Sequence, residues 1–107
     1  MKLNEYQALS ARTANTHANE EVNYALGLTG EAGEYADMIK KQYFHGHADQ
    51  LTEKKKELGD ILWYVSQSAR AAGLSLEEIA VANIDKLRKR YPEGFSEEAS
   101  INRKEDE

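Results

Sequence analysis

Hydrophobic side chains recur every three or four residues along most of the chain, which is the spacing of one face of an α-helix. The only proline, Pro92, lies near the end of this periodic region. A proline inside a helix removes a backbone hydrogen bond, so a long proline-free stretch favours uninterrupted helices. The pattern therefore predicts an all-α fold.

Four helices follow from the apolar stripes and their flanking signals. The first is predicted to begin at Asn4, with Gln7 as its capping-box partner, and the fourth begins with the capping box SLEE at 75–78 and runs to Tyr91. The second and third helices are predicted from Glu20 to Phe44 and from Thr52 to Gly73. The third is expected to bury the stripe formed by Leu58, Ile61, Leu62, Val65 and Ala69.

A chain of 107 residues holds one domain with a modest core. We predict a single helical domain over residues 1–95 and a tail over 96–107, partly extended or disordered, because the tail lacks an apolar stripe. Four helices of this length bury limited surface. Self-association as a homodimer or homotetramer is therefore expected.

Composition narrows the class of protein. Hydrophobic residues make up 40% and charged residues 31%, without an apolar run long enough for a membrane span or an apolar centre of a signal peptide. The absence of cysteine excludes disulfides and thiolate zinc sites, and a cytoplasmic location is expected. The net charge of −5 argues against nucleic acid as a partner. The basic cluster KLRKR at 86–90 suits a small phosphorylated ligand.

Two pairs of acidic residues have the spacing of metal ligands. Glu31 and Glu34 are three residues apart on the second helix, as are Glu57 and Asp60 on the third, and residues so spaced share a helical face. Antiparallel packing would bring the pairs together. Four carboxylates suit Mg²⁺, with Mn²⁺ as a substitute, and a cation would neutralise their mutual repulsion.

Glycines accompany both acidic pairs. Gly27, Gly30 and Gly59 lie inside predicted helices, where each costs roughly 1 kcal/mol relative to alanine. Missing side chains there leave room for a ligand or allow helices to approach closely. The alternative is that the acids are solvent-exposed and form ion pairs with Lys54 and Lys56. A di-iron centre is disfavoured because Glu-x-x-His motifs are lacking.

The pattern GEAGEYAD followed by KELGDILWYV resembles the E-x-x-E and E-x-x-D signature of MazG-like nucleotide pyrophosphohydrolases, members of the all-α NTP pyrophosphatase superfamily. The later NIDKLRKRYPEGF is similar to the N-x-x-K-x-x-x-R-Y-P segment of that family. The resemblance implies a four-helix module, assembled as a homodimer or dimer of dimers. It also implies Mg²⁺-dependent hydrolysis of a nucleoside triphosphate between its α and β phosphates.

Residue roles follow from the same resemblance. Metal-binding and catalytic roles are implied for Glu31, Glu34, Glu57 and Asp60. Substrate-binding roles are implied for Lys41, Tyr64, Asn83, Lys86, Arg90 and Tyr91, with Lys41 standing where some relatives have an aromatic residue that contacts the base. Trp63 is assigned to the core, and His17, His45 and His47 are given no role. The rival hypothesis is a catalytically silent module that binds nucleotide or protein; the complete set of four acids favours the enzyme.

Overall fold

The computed structural model describes residues 1–102, which form helices and connecting turns without a β-strand. The predicted all-α fold is confirmed. Helix α1 spans Leu3–Ser10 and runs into a 3₁₀ turn at Ala11–Thr13, after which α2 spans Glu20–Phe44, α3 Leu51–Ala71, α4 Leu76–Arg90 and α5 Glu97–Ile101.

Helices α2 and α4 begin and end close to where the sequence pattern places them. At the N-terminus of α4, Ser75 Oγ accepts a hydrogen bond from the Glu78 amide at 3.1 Å, and the Glu78 carboxylate accepts one from the Ser75 amide at 2.6 Å. The predicted capping box is therefore present. Helix α3 stops at Ala71, before a left-handed glycine, Gly73, with a φ of 77°.

The capping box predicted for α1 is wrong. Helix α1 begins at Leu3, one residue earlier than predicted, and its N-terminal box joins the Lys2 amide to the Glu5 carboxylate at 3.2 Å. The Asn4 and Gln7 side chains instead accept hydrogen bonds from the first amides of α4, those of Glu77 at 3.1 Å and Leu76 at 3.0 Å. They cap a helix that is distant in sequence, which a local pattern does not show.

The helices α2 and α3 form an antiparallel hairpin that is the main packing unit of the protein. Residues early in α2 meet residues late in α3, so that the Tyr24 ring lies 5.8 Å from that of Trp63 in an edge-to-face arrangement. Next along the hairpin, the Tyr64 ring occupies the space that a Cβ atom at Gly27 would need. Gly27 therefore serves close helix approach, which is one of the two alternatives that the sequence left open.

A buried polar network joins α1 to this hairpin. Ser66 and Gln67 on α3 are fully buried, and both contact Ser10 Oγ, at 2.7 Å and 2.9 Å. The Trp63 indole N–H donates to the Ser10 carbonyl at 3.1 Å. Arg70 extends the network, donating to Gln67 Oε1 at 3.0 Å. Because each buried polar group has a specific partner, the network fixes how α1 lies on α3.

Much of the apolar surface stays exposed in a single chain. Leu58 and Leu62 of α3, expected to be buried, are 48% and 41% exposed. The accessible surface is 8007 Å², whereas a compact monomer of this mass exposes about 6000 Å². The expectation of a fully buried α3 stripe is therefore wrong for the isolated chain, because no other helix within residues 1–102 covers that face.

The chain beyond α4 contains a short helix that the sequence pattern did not predict. Ser96 Oγ accepts a hydrogen bond from the Ala99 amide at 3.0 Å and caps α5. The division into a domain of 1–95 and a tail of 96–107 stays a prediction, and residues 103–107 lie outside the described part of the chain.

Across residues 1–102, no helix has both the length and the apolar character needed to cross a bilayer.

Replacing Gly27 with alanine is expected to destabilise the protein, because the new methyl group must displace the Tyr64 ring. The expected loss in the free energy of unfolding is about 1–3 kcal/mol, measured by urea denaturation. Gly33→Ala is the matched control on the same helix, since a Cβ there meets no atom within 4 Å. It should be neutral or stabilising by up to about 1 kcal/mol. Equal losses in both variants would contradict the close approach at Gly27.

Candidate metal centre and adjoining cavity

The antiparallel hairpin brings acidic residues from both helices together. Glu31 of α2 and Glu57 and Asp60 of α3 each offer a carboxylate oxygen, and these oxygens all lie within 4.8 Å of one another. Asp60 is exposed, whereas Glu31 and Glu57 are half-buried. Tyr64 packs against Gly27, and one helical turn farther along the same interface of α2 and α3 brings the three carboxylates together.

Burial and the crowding of like charges raise the pKa of Glu31 from 4.5 to about 7. Burial of the carboxyl group is the largest cause, followed by the negative charge of Glu34. The adjacent Glu57 carboxyl group and the charge of Asp60 act in the same direction. One oxygen of Glu31 and one of Glu57, both Oε2, are buried without a hydrogen-bond partner.

These carboxylates fit a divalent cation. Hard oxygen donors are the ligands of Mg²⁺ and Mn²⁺, and the two buried, unpartnered Oε2 atoms need a positive partner. The two lysines that were expected to pair with these acids in the alternative interpretation have other partners. Lys54 pairs with Asp49 at 2.6 Å, and Lys56 pairs with Glu53 at 3.3 Å. Within residues 1–102, the three clustered acids form no ion pair with a lysine or arginine.

Glu34 is outside the cluster of three and lines the cavity beside it. This cavity has a volume of about 330 Å³ and lies where α2 ends and α3 begins. Its wall contains two of the proposed metal ligands, Glu34 and Glu57, and two basic side chains, Lys41 and His47. The structure therefore joins the carboxylate cluster to an open space large enough for part of a ligand.

Lys41 is placed on this cavity by its helix. Its ammonium group pairs with Asp37, one turn earlier, at 2.9 Å. Hydrogen bonds from Lys41 and Lys40 lower the pKa of Asp37, although burial acts in the opposite direction. Lys41 thus lines the same cavity as Glu34, and its implied role as a substrate-binding residue stays a prediction.

Tyr64 and Trp63 belong to one aromatic cluster, with ring centroids 5.0 Å apart in an edge-to-face arrangement. The Trp63 ring is half-buried and its N–H is bonded to the Ser10 carbonyl, which fits the assignment of Trp63 to the core. Tyr64 packs over Gly27, one turn from Asp60. Its implied role beside the nucleotide stays a prediction.

The remaining implied substrate residues lie on or just after α4, away from the hairpin. Asn83, Lys86 and Arg90 have the spacing of one helical face, and Asn83 and Lys86 are exposed. The Nε atom of Arg90 is buried without a hydrogen-bond partner. The Tyr91 ring lies 5.4 Å from that of Phe95. Because α4 packs mainly against α1, the single chain does not bring this face together with the carboxylate cluster.

Two residues near the site were not found by reading the sequence. The pKa of Tyr6 on α1 is raised, first by burial and then by the charge of Asp60, a member of the acidic cluster. His47, given no role from its sequence context, lines the cavity. The only sequence signal for His47 was the glycine before it, Gly46, which follows the end of α2 and has a left-handed conformation.

The glycines beside the acids differ from Gly27. A Cβ atom at Gly30 or Gly59 would meet nothing within 4 Å. Neither position therefore serves packing inside the chain. Both leave open space next to a carboxylate, which agrees with the alternative that they make room for a ligand.

In metal-free protein, replacing Glu31 with glutamine should remove a pH dependence of stability. Because the pKa of Glu31 is about 7 in the folded state and near 4.5 when unfolded, the folded state binds the proton more tightly. Wild-type stability should therefore fall as pH rises from 4.5 towards about 7, relative to Glu31→Gln. Thermal unfolding in the presence of a chelator, from pH 5 to 8, measures this difference. Parallel curves for the two proteins would contradict the crowded carboxylates.

Comparison with known proteins agrees with this geometry. Residues 19–95, which include the whole hairpin and α4, match the model of the MazG nucleotide pyrophosphohydrolase domain. A curated relative, the Gene 37 protein of Mycobacterium phage L5, is 34% identical over 83 residues, covering 73% of this chain and 72% of the phage protein. No solved structure gives a significant match. On the extent of the domain match and this identity, the chain belongs to the MazG nucleotide pyrophosphohydrolase family.

Proposed function

We propose that the protein is a Mg²⁺-dependent pyrophosphohydrolase that cleaves a ribo- or deoxyribonucleoside triphosphate into the monophosphate and pyrophosphate. The supporting observation is the cluster of Glu31, Glu57 and Asp60, whose oxygens lie within 4.8 Å of one another. Two of its buried oxygens lack partners, and Glu34 lines a cavity directly beside it. Membership in the MazG family supports the reaction class.

Glu31, Glu57 and Asp60 would hold the cation, with Glu34 completing the ligand set from the cavity side. A bound divalent cation supplies neutralisation of phosphate charge and acidification of water. The reaction adds a water oxygen to the α phosphorus and breaks the bond from that phosphorus to the bridging oxygen. The displaced group leaves as pyrophosphate, and the water proton passes to a carboxylate of the site.

The chain's own residues act by position and charge. The half-buried setting of Glu31 and Glu57 would strengthen the attraction of these carboxylates for a divalent cation, because water screens charges less there. Lys41 lies on the cavity wall and offers a positive donor to a phosphate oxygen. These groups are held by two packed helices, so little reorganisation is required when the substrate binds.

We also propose that the active assembly is a homodimer, or a dimer of such dimers. In this assembly the basic face of α4 in one copy lies beside the carboxylate cluster of the other copy. The basic face of Asn83, Lys86 and Arg90 lies on a helix that packs mainly against α1. The accessible area exceeds that of a compact monomer by about 2000 Å², which is the scale of a stable interface. Exposed leucines on α3, Leu51, Leu58 and Leu62, supply an apolar face for the contact.

Pyrophosphate release should require magnesium and Glu34. A screen of ribo-, deoxyribo- and modified nucleoside triphosphates should find at least one substrate. Glu34→Gln should lower its turnover by about 100-fold or more, because a ligand of the reacting centre is lost.

Glu21→Gln is the matched control, an exposed glutamate on the same helix, and should leave turnover unchanged. Circular dichroism should give the same helix content for all three proteins. If no nucleotide is hydrolysed with Mg²⁺ or Mn²⁺, the catalytic proposal fails and the alternative of a silent binding module gains support.

A site shared between copies should allow two inactive variants to rescue each other. Glu34→Gln removes a carboxylate and Arg90→Ala removes part of the basic face. In a mixed dimer, one of the two sites then combines the intact carboxylates of one copy with the intact basic face of the other. An equimolar mixture, after subunit exchange, should recover about a quarter of wild-type turnover, since half of the dimers are mixed.

The rescue is measured as pyrophosphate release at constant total protein, with sedimentation velocity recording the assembly. If the mixture is no more active than the separate variants while dimers persist, both sets of residues act within one copy. A monomeric wild-type protein would also contradict the shared site.

A further inference from the structure

The cavity beside the carboxylate cluster is lined by both acidic and basic side chains. Glu34, Asp37 and Glu57 are its acidic residues, and Lys41 and His47 line it from the end of α2 and the connection to α3. Phosphate oxygens bound there would be within reach of a cation at the carboxylate cluster and of the side-chain donors of Lys41 and His47. No tyrosine, phenylalanine or tryptophan lines this cavity, so it offers little to a nucleobase.

The conformation of the segment between α2 and α3 places His47 in the lining of the cavity. Gly46 adopts a left-handed conformation, with a φ of 73°, that turns the chain back after α2. The His47 amide then donates to the Lys41 carbonyl at 3.2 Å. This bond links the two basic residues of the cavity through the backbone.

The other end of the connection is also fixed. Asp49 pairs with Lys54 of α3 at 2.6 Å, and the Lys54 side chain is only 18% exposed. The pKa of Lys54 is raised, chiefly by its hydrogen bond with Asp49. A segment held at both ends loses little freedom when a ligand binds, so its side chains are suited to recognition.

Size and charge indicate which part of a nucleotide the cavity takes. Its volume of about 330 Å³ is at the small end of the range for ligand pockets. Charged and polar groups form most of its wall. A chain of two phosphates suits such a space, whereas a complete nucleotide would project from it.

We propose that this cavity binds the β and γ phosphates, the half of the substrate that leaves as pyrophosphate, and that His47 is a phosphate-binding residue together with Lys41. This inference rests on the proposed function, since it assigns one part of the substrate to one part of the site. The imidazole N–H donates a hydrogen bond to a terminal phosphate oxygen, and the Lys41 ammonium group supplies charge. The nucleoside then lies on the opposite side of the carboxylate cluster.

The test is calorimetric titration of inorganic pyrophosphate with Mg²⁺ into the wild type, His47→Ala, His47→Gln and His45→Ala. The wild type should bind, and His47→Ala should bind about tenfold more weakly, the effect of losing one hydrogen bond to a charged group. His47→Gln keeps an N–H donor and should recover part of the affinity. His45→Ala changes a histidine two residues away that does not line the cavity, and should match the wild type.

Three results would overturn the role of His47: a wild type that does not bind pyrophosphate, a His47→Ala variant that binds it as tightly, or an equal loss in His45→Ala. Equal unfolding temperatures for the variants exclude a general loss of structure. The pyrophosphate-release assay separates this inference from the proposed function. A protein that hydrolyses nucleotides but binds pyrophosphate independently of His47 refutes only the inference, and one that binds it through His47 without hydrolysis refutes only the catalytic proposal.

Discussion

The close approach of α2 and α3 is the constraint on which the rest of the structure depends. At Gly27 the backbone of α2 comes near enough to α3 for the Tyr64 ring to fill the place of a side chain. That contact fixes both the distance between the helices and their register. One turn farther along, the same register sets Glu31 against Glu57 and Asp60. A shift of one residue would rotate the acids away from one another, so packing and chemistry share a single geometric origin.

The close approach of α2 and α3 has an unfavourable electrostatic consequence for the carboxyl groups. Burial and neighbouring charges hold the pKa of Glu31 near 7, and unpartnered carboxylate oxygens are buried in the hairpin. A protein selected only for stability would place apolar residues there. The polar network of Ser10, Ser66 and Gln67 lies in the same helix pair, and all of its members find partners. Ser68 Oγ in that part of α3 is also buried without a partner, so the negative charge of the Glu31 and Glu57 oxygens, and not the lack of a partner alone, marks the region suited to a cation.

The sequence was a good guide where the determining forces are local. Apolar periodicity and the Ser75 capping box correctly predicted α2 and α4, because both depend on residues within a few positions of one another. The pairing of acids at Glu31 and at Glu57 followed from helical spacing and one assumption, antiparallel packing. Local reasoning failed where a side chain serves a distant partner. Asn4 and Gln7 cap α4 across the fold, and Leu58 and Leu62 face outward because no helix in the described part of the chain covers them. His47 was missed because its placement depends on how the turn after α2 folds back.

The bonds from Asn4 and Gln7 to the first amides of α4 have a consequence for how the molecule is organised. They connect α1, which lies on the hairpin through Ser10, to the helix that carries the basic residues. The first ten residues thus connect the acidic part of the protein to its basic part. The position of α4 relative to the hairpin therefore depends on two side chains, Asn4 and Gln7, that belong to neither the acidic cluster nor the basic face.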